Sequence, residues 1–205
     1  MKNKKFFIIG LLLMLFIINT ILVITNSYTT VDTAVHNFIM RYSSEMTTSV
    51  MKAITFLGST MFIVILCAII FFSFLLKKRK AYAFSTASIL IISTVINNVI
   101  KLIIRRPRPE YISVIEHSFS YPSGHTMASA TLYGFVIYLM IKSNIPKHYK
   151  IIYSCVLGLL ILLVGLSRIY LGAHFFSDVF GGLLLSSIIL LVFDFINQKR
   201  NLLKS

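Results

Sequence analysis

The chain has 205 residues, 57% of them hydrophobic and 13% charged, with a mean hydropathy of +0.87. A soluble domain carries roughly 25% charged residues, so an ordinary soluble fold is excluded and an integral membrane protein is expected. The formal charge of +14 does not require a nucleic-acid partner, because a polytopic protein gathers Lys and Arg in the loops on one side of the bilayer.

The chain opens Met1-Lys2-Asn3-Lys4-Lys5 ahead of an apolar run from Phe6. It lacks a small-x-small cleavage site and approaches helix length, so it reads as an uncleaved first span. Crossing the hydrocarbon core takes about 20 residues. Six segments approach that length: Phe6 to Thr25, Ile54 to Leu76, Ala81 to Ile100, Ser123 to Ile141, Ile151 to Ser167 and Phe175 to Ile196. The expected fold is all-α, one polytopic domain over residues 1–205. With both termini in the cytoplasm, most of the 20 Lys and Arg fall on the inner side, as the charge bias of short loops requires.

Between the first two spans, Val31, Val35, Phe38, Ile39 and Tyr42 recur at helical spacing among Asp32, His36, Asn37 and Arg41. This amphipathic pattern predicts an interfacial helix with His36 on its solvated face. Cys67 and Cys155 lie in apolar runs and are expected to pack in the core. The third span carries Ser85, Ser88, Ser93, Asn97 and Asn98, which are expected to face the bundle interior. Pro107, Pro109 and Pro122 keep the loop after it from continuing as helix.

Ionisable residues at a membrane edge are functional candidates. The six-span topology places the end of span three at Lys101, the start of span four at Ser123-Gly124-His125, the end of span five at Arg168 and the start of span six at His174 on one external face. Lys101, Arg108 and Arg168 around a concave site suit a phosphate group. Ser123 can cap the fourth span, whose first N–H groups would point at an anion, and Gly124 permits close approach. His174 and Asp178 stand four apart, on one helical face. Asp178 would accept a hydrogen bond from one ring nitrogen of His174, leaving the other free to attack phosphorus. His125 would protonate the leaving oxygen and then activate water. Taken singly, each has a plainer reading: Ser123 an ordinary cap, His125 a polar helix start, His174 an interfacial histidine, Lys101 and Arg168 snorkelling cations. A metal is disfavoured, because no carboxylates cluster and three cations would repel a divalent ion. No cofactor is expected.

Lys101-(six residues)-Arg108-Pro109, Pro122-Ser123-Gly124-His125 and Ser167-Arg168-(five residues)-His174-(three residues)-Asp178 resemble, in order and spacing, the tripartite signature of the type 2 phosphatidic acid phosphatases. That superfamily includes bacterial phosphatidylglycerophosphate and undecaprenyl pyrophosphate phosphatases and the soluble vanadium haloperoxidases. The resemblance implies a haloperoxidase-like helical core and a metal-independent phosphatase working through a phosphohistidine. It makes His174 the nucleophile, Asp178 its orienting partner and His125 the acid then base, with Lys101, Arg108, Ser123, Gly124 and Arg168 holding phosphate. Arg105 and Arg106 lie outside the signature and read as interface charge; Glu116 and His117 are candidates for shaping headgroup access.

The resulting expectation is a cell-membrane lipid phosphatase whose site opens to the outer leaflet. Its partners are the bilayer and a phosphorylated lipid: phosphatidylglycerophosphate, phosphatidic acid or undecaprenyl pyrophosphate. The Pro-Ser-Gly-His form of the second motif resembles the phosphatidylglycerophosphate phosphatase group. The alternative is a non-enzymatic binding or transport protein for anionic lipids, which would not need two histidines and a paired Asp.

Overall fold

The computed structural model describes residues 2–110, 118–200 and 202–203, and the described residues form eight helices without a strand. These are α1 (Lys2–Ile24), α2 (Thr29–Met40), α3 (Glu45–Phe56), α4 (Thr60–Leu76), α5 (Lys80–Ile104), α6 (Gly124–Lys142), α7 (Lys147–Tyr170) and α8 (Phe176–Arg200). Helices α1, α5, α6, α7 and α8 are each long and apolar enough to cross a bilayer, and α3 with α4, taken together, make a sixth crossing bent by 43°. The protein is a multi-pass membrane protein.

That bend corrects the second expected span. The apolar run from Ile54 to Leu76 is broken at residues 57–59, because three neighbours satisfy the chain there better than a continuous helix would. The Leu57 carbonyl accepts the Tyr133 hydroxyl at 2.6 Å, and Ser59 caps α4 by accepting from the Phe62 N–H at 3.3 Å. Between them Gly58 lies so close to α7 that an added Cβ would sit 2.3 Å from a methyl of Val164. Thr55 therefore belongs to a separate outer helix, whose start is held by the Ser44–Thr47 capping box and whose Thr47 and Thr48 hydroxyls bond the Tyr170 hydroxyl at 2.9 and 2.8 Å.

Helix α2 forms where the amphipathic pattern predicts it, but it packs against α7 and α8. Asp32 is consequently buried. His36 is half-buried instead of solvated, with Nδ1 3.3 Å from the Ile169 carbonyl oxygen.

Helices α5 to α8 form the centre of the bundle, with α4 against α5 and α1 against α8. Ile63, Cys67, Leu90, Leu132 and Tyr133 make one apolar cluster between α4, α5 and α6. Met127, Phe135, Leu185 and Ile189 join Ile89 in a second, between α5, α6 and α8. Cys67 packs in the core as expected, whereas Cys155 is exposed on the outward side of α7. Of the polar residues of α5, Ser93 and Asn97 turn inward, Ser93 bonding Thr131 at 2.9 Å and Asn97 donating to the Pro122 carbonyl at 3.2 Å; Ser88 is exposed.

A methyl group at Gly58 has no room beside the fully buried Val164. Gly58→Ala is expected to lower stability by about 1–3 kcal/mol, read as an earlier thermal unfolding of the detergent-solubilised protein. Adding Val164→Ala should recover part of the loss; a double variant less stable than the sum of the two singles would contradict the close-approach account.

Candidate active site

The ends of α5 and α7 and the starts of α6 and α8 meet at one end of the bundle. Each terminus has a local cause. Helix α7 stops because Gly172 adopts φ 66°, a left-handed conformation that glycine tolerates. The chain then folds back so that the Ala173 and His174 N–H groups both donate to the Arg168 carbonyl, at 3.0 and 3.3 Å. Helix α5 stops at Arg105, also left-handed, at φ 51°. Beyond it, Pro107 and Pro109 favour an extended backbone at the residues before them, so Arg106 and Arg108 are carried across the site as two separate arms. Helix α6 starts at Ser123, whose hydroxyl oxygen accepts from the Thr126 N–H and hydroxyl at 3.4 and 2.9 Å. The Ser123 N–H donates to the Asp178 backbone carbonyl at 3.1 Å, joining the starts of α6 and α8.

The sequence-predicted residues divide into two groups. Lys101, Arg108, Gly124, His125 and His174 line a cavity of about 290 Å³. Helix α4 adds Thr60, Ile63 and Val64 to its lining, and α5 adds Leu90 followed by the polar row Ser93, Thr94, Asn97 and Asn98. Asp178, Arg168 and Ser123 are buried behind that surface. Arg168 is 2% exposed and donates to the Thr55 hydroxyl at 2.9 Å. Ser123 serves as the helix cap. Lys101 is 5% exposed, and its ammonium donates to the Phe119 and Ser120 carbonyls.

His174 has two differently occupied ring nitrogens. Nδ1 lies 3.4 Å from Asp178 Oδ2 and 3.4 Å from the Ser120 hydroxyl oxygen. Nε2 lies 3.3 Å from the Arg108 guanidinium, which also donates to the Ala173 and Ser118 carbonyls, each at 2.7 Å. Burial pulls the imidazole down to about 3; the bond and charge of Asp178 oppose this, and the charges of Arg168 and Arg108 add to it. A proton on Nδ1, donated to Asp178, leaves an Nε2 lone pair directed at the cavity. That arrangement suits nucleophilic attack on an anionic group held by Lys101 and Arg108.

Asp178 is fully buried and many-partnered. Its carboxylate accepts from the Ser120 hydroxyl, from the Phe175 N–H at 2.9 Å and from Arg106 at 2.6 Å. Arg106 spans two carboxylates, reaching Asp32 at 2.8 Å, with its guanidinium 4.1 Å above the Phe175 ring. Asp32 accepts in addition from the Ser177 N–H at 2.9 Å and hydroxyl at 2.7 Å. The reading of Arg106 as interface charge is thus overturned, whereas Arg105 is exposed as that reading has it. The usable signal for Arg106 is the repeated Arg-Pro step, and for Asp32 the scarcity of acids, six in the whole chain.

Asn19 is a further polar position, inside the oiliest span. Its amide donates to the Tyr121 hydroxyl at 3.0 Å and the Ser177 carbonyl at 3.2 Å. Thr20 bonds the same hydroxyl at 2.8 Å, so α1 clamps the turn that precedes α6. Glu116 and His117 lie outside the described residues.

Residues 82–201 match the family model of the PAP2 superfamily. Phosphatidylglycerophosphatase B of Bacillus subtilis (strain 168) is 33% identical over 175 residues, which cover 83% of this chain and 85% of that protein. The crystal structure of the first transmembrane PAP2 type phosphatidylglycerolphosphate phosphatase from Bacillus subtilis superposes with a TM-score of 0.86 at 30% identity, over 94% of this chain and 96% of that one. The crystal structure of Aquifex aeolicus LpxE shares the fold, with a TM-score of 0.56 at 23% identity, over 78% of this chain and 92% of that one.

The pKa of His174 gives a direct test of the site's electrostatics. The folded value lies below the unfolded value of about 6.5, so the unfolded chain takes up the proton first. The stabilising effect of the neutral ring is complete above that value and is lost as pH falls toward about 3. In histidine-labelled protein, the imidazole resonance that disappears in His174→Ala should keep its neutral-form shift down to about pH 5. A midpoint near the ordinary value would contradict the buried, cation-flanked geometry.

Proposed function

The chain belongs to the PAP2 superfamily and is a lipid phosphatase; from that premise we propose that it removes the terminal phosphate of phosphatidylglycerophosphate through a phosphohistidine on His174. The carrying observation is the orientation of His174, with Nδ1 toward Asp178 and Nε2 toward the cavity that Lys101, Arg108 and His125 share. Phosphatidic acid and undecaprenyl pyrophosphate present the same terminal phosphate chemistry and are the competing substrates. The name of the Bacillus relative and the Pro-Ser-Gly-His motif support phosphatidylglycerophosphate.

The reaction divides into two transfers. Nε2 of His174 attacks phosphorus and the bond from phosphorus to the lipid oxygen breaks, while His125 gives that oxygen a proton. His125 then takes a proton from water, whose oxygen attacks the phosphoryl group and releases inorganic phosphate with His174 restored. Lys101 and Arg108 balance the charge on the non-bridging oxygens, and the first turn of α6 adds its N–H groups at Gly124. Arg168, buried behind His174, adds positive potential and ties the site to α3 through Thr55. Asp178 already accepts from Ser120, Phe175 and Arg106, a bonding pattern that suits an orienting carboxylate better than a metal ligand.

The apolar patch of Ile63 and Val64 on α4 and Leu90 on α5 supports a lipid that stays in the bilayer while its headgroup enters. The greater share of Lys and Arg lies at the opposite end of the bundle, which supports cytoplasmic termini and a site at the outer leaflet.

Purified protein should release phosphate from mono- and diphosphate lipids with EDTA present, fastest from phosphatidylglycerophosphate. His174→Ala should reduce kcat by about 10⁴-fold or more while still binding lipid. Absence of release across the lipid panel would remove the enzymatic reading, and a chelator-sensitive rate would remove the metal-free one.

Arg106 and Asp32 act as positioning residues in this scheme, since they hold Asp178 and Ser177 without reaching the cavity. Asp32→Asn and Arg106→Gln should each lower kcat by about 10- to 100-fold with little change in KM. Arg106→Lys should restore part of the rate. Equal losses in kcat and lipid affinity would instead mean that the site had collapsed.

A further inference from the structure

The end of the bundle opposite His174 holds a second and larger cavity, of about 790 Å³. It lies where α4 and α6 finish and α5 begins, near the last turn of α8. Its walls are apolar, with Ile69, Ile70 and Phe74 from α4 facing Val136, Leu139 and Met140 from α6. Its lining also includes three cations, Lys77, Arg79 and Lys142, and all three are exposed. The Arg79 guanidinium lies 5.4 Å from the centre of the Tyr82 ring, and the Lys142 ammonium lies 5.7 Å from that of Tyr138.

The surrounding polar bonds give this cavity a defined edge. The Tyr82 hydroxyl donates to the Leu203 carbonyl at 2.8 Å, and the Leu203 N–H donates to Asn197 Oδ1 at 2.9 Å. Asn197 in turn donates to the Tyr138 hydroxyl at 2.8 Å. The nearby carboxylate, Asp194, is bonded by Lys5 and Gln198 and lies 3.9 Å from Lys142. The described lining residues include no acid, so Lys77 and Arg79 leave the rim net positive beside the Lys142–Asp194 pair.

We propose that this cavity binds an anionic phospholipid of the leaflet opposite the catalytic site, with an acyl chain between α4 and α6 and the phosphodiester against Lys77, Arg79 and Lys142. A water-soluble anion would satisfy the cations but not the apolar walls. A neutral lipid would fill the walls and leave Lys77 and Arg79 without an anion, Lys142 being the cation that Asp194 approaches at 3.9 Å. Basic residues at a membrane surface attract anionic headgroups over a Debye length, and long Lys and Arg stems lie along apolar surface while their heads stay polar. The site contains none of the catalytic residues, and it stands whichever lipid phosphate the enzyme hydrolyses.

The chain contains no tryptophan, which makes a local optical test possible. Phe74→Trp puts one reporter in the cavity wall. Phe84→Trp puts another near the start of α5, on an exposed, lipid-facing position. Each variant is reconstituted into vesicles containing brominated phosphatidylglycerol or brominated phosphatidylcholine, whose bromines quench nearby indole fluorescence. At Phe74→Trp the phosphatidylglycerol should be enriched about fivefold over phosphatidylcholine, and at Phe84→Trp about equally quenching. Adding Lys77→Gln and Arg79→Gln to Phe74→Trp should bring its ratio down to that of Phe84→Trp. The same enrichment at both reporters, or a ratio indifferent to loss of the two charges, would overturn the proposal. The readout is independent of turnover, so it stands apart from any failure of the phosphatase assay, and phosphate release by each variant reports separately that it is folded.

Discussion

Everything at the catalytic end of the molecule depends on burying the Asp178 carboxylate without leaving it unsatisfied. A buried anion is tolerated only where partners replace its hydration. Asp178 has a hydroxyl from Ser120, an amide from Phe175, a guanidinium from Arg106 and a ring nitrogen of His174. Those partners come from the loop before α6, the turn before α8 and the segment after α5, so satisfying one side chain assembles three separate pieces of chain. The backbone carbonyl of the same residue takes the Ser123 N–H, which sets the start of α6 and with it the position of His125.

The second layer follows from charge. Arg106 enters a region with 1% exposed Asp32 and fully buried Asp178, and one guanidinium with two carboxylates keeps both anions compensated. Asp32 also holds the Ser177 N–H and hydroxyl, so α2 is drawn from the membrane interface onto the start of α8. The outer helices α2 and α3 are therefore part of the site's support. Thr55 on α3 bonds Arg168, and Asn19 and Thr20 on α1 hold Tyr121. Loosening any of these contacts would act on His174 at a distance, through positions that do not line its cavity.

The membrane then shapes what the two ends of the bundle can do. At the His174 end the cavity joins cations and histidines to polar residues of α5 and an apolar patch of Ile63, Val64 and Leu90, and on the proposed reading this receives a headgroup whose lipid tail remains in the bilayer. At the other end the cations stand on the rim of a mainly apolar crevice whose described lining residues include no histidine, which suits binding without chemistry. The proposed division of labour follows: apolar surface and fixed positive charge occur at both ends, and only the end with His174 and His125 carries candidate catalytic groups.

By itself the sequence determined the membrane class, the helical architecture, and the three motifs whose residues lie at one end of the bundle. These were legible because hydropathy and period depend on neighbouring residues, and because Lys101, Arg108, His125, His174 and Asp178 are conspicuous at the edges of apolar runs. Tertiary structure alone decided the break at Gly58, the partial burial of His36 and the exposure of Cys155, since each depends on which helix lies alongside. It also decided that Arg168 sits behind the cavity, whereas the Ser123 cap of α6 was legible because it is made within one turn. Asp32 and Arg106 show the reason most directly. Separated by 74 positions, they carry no mutual signal in the sequence, and only the packing of α2 against α7 and α8 turns an apparent surface acid and an apparent interface cation into the part-buried pair that holds Asp178.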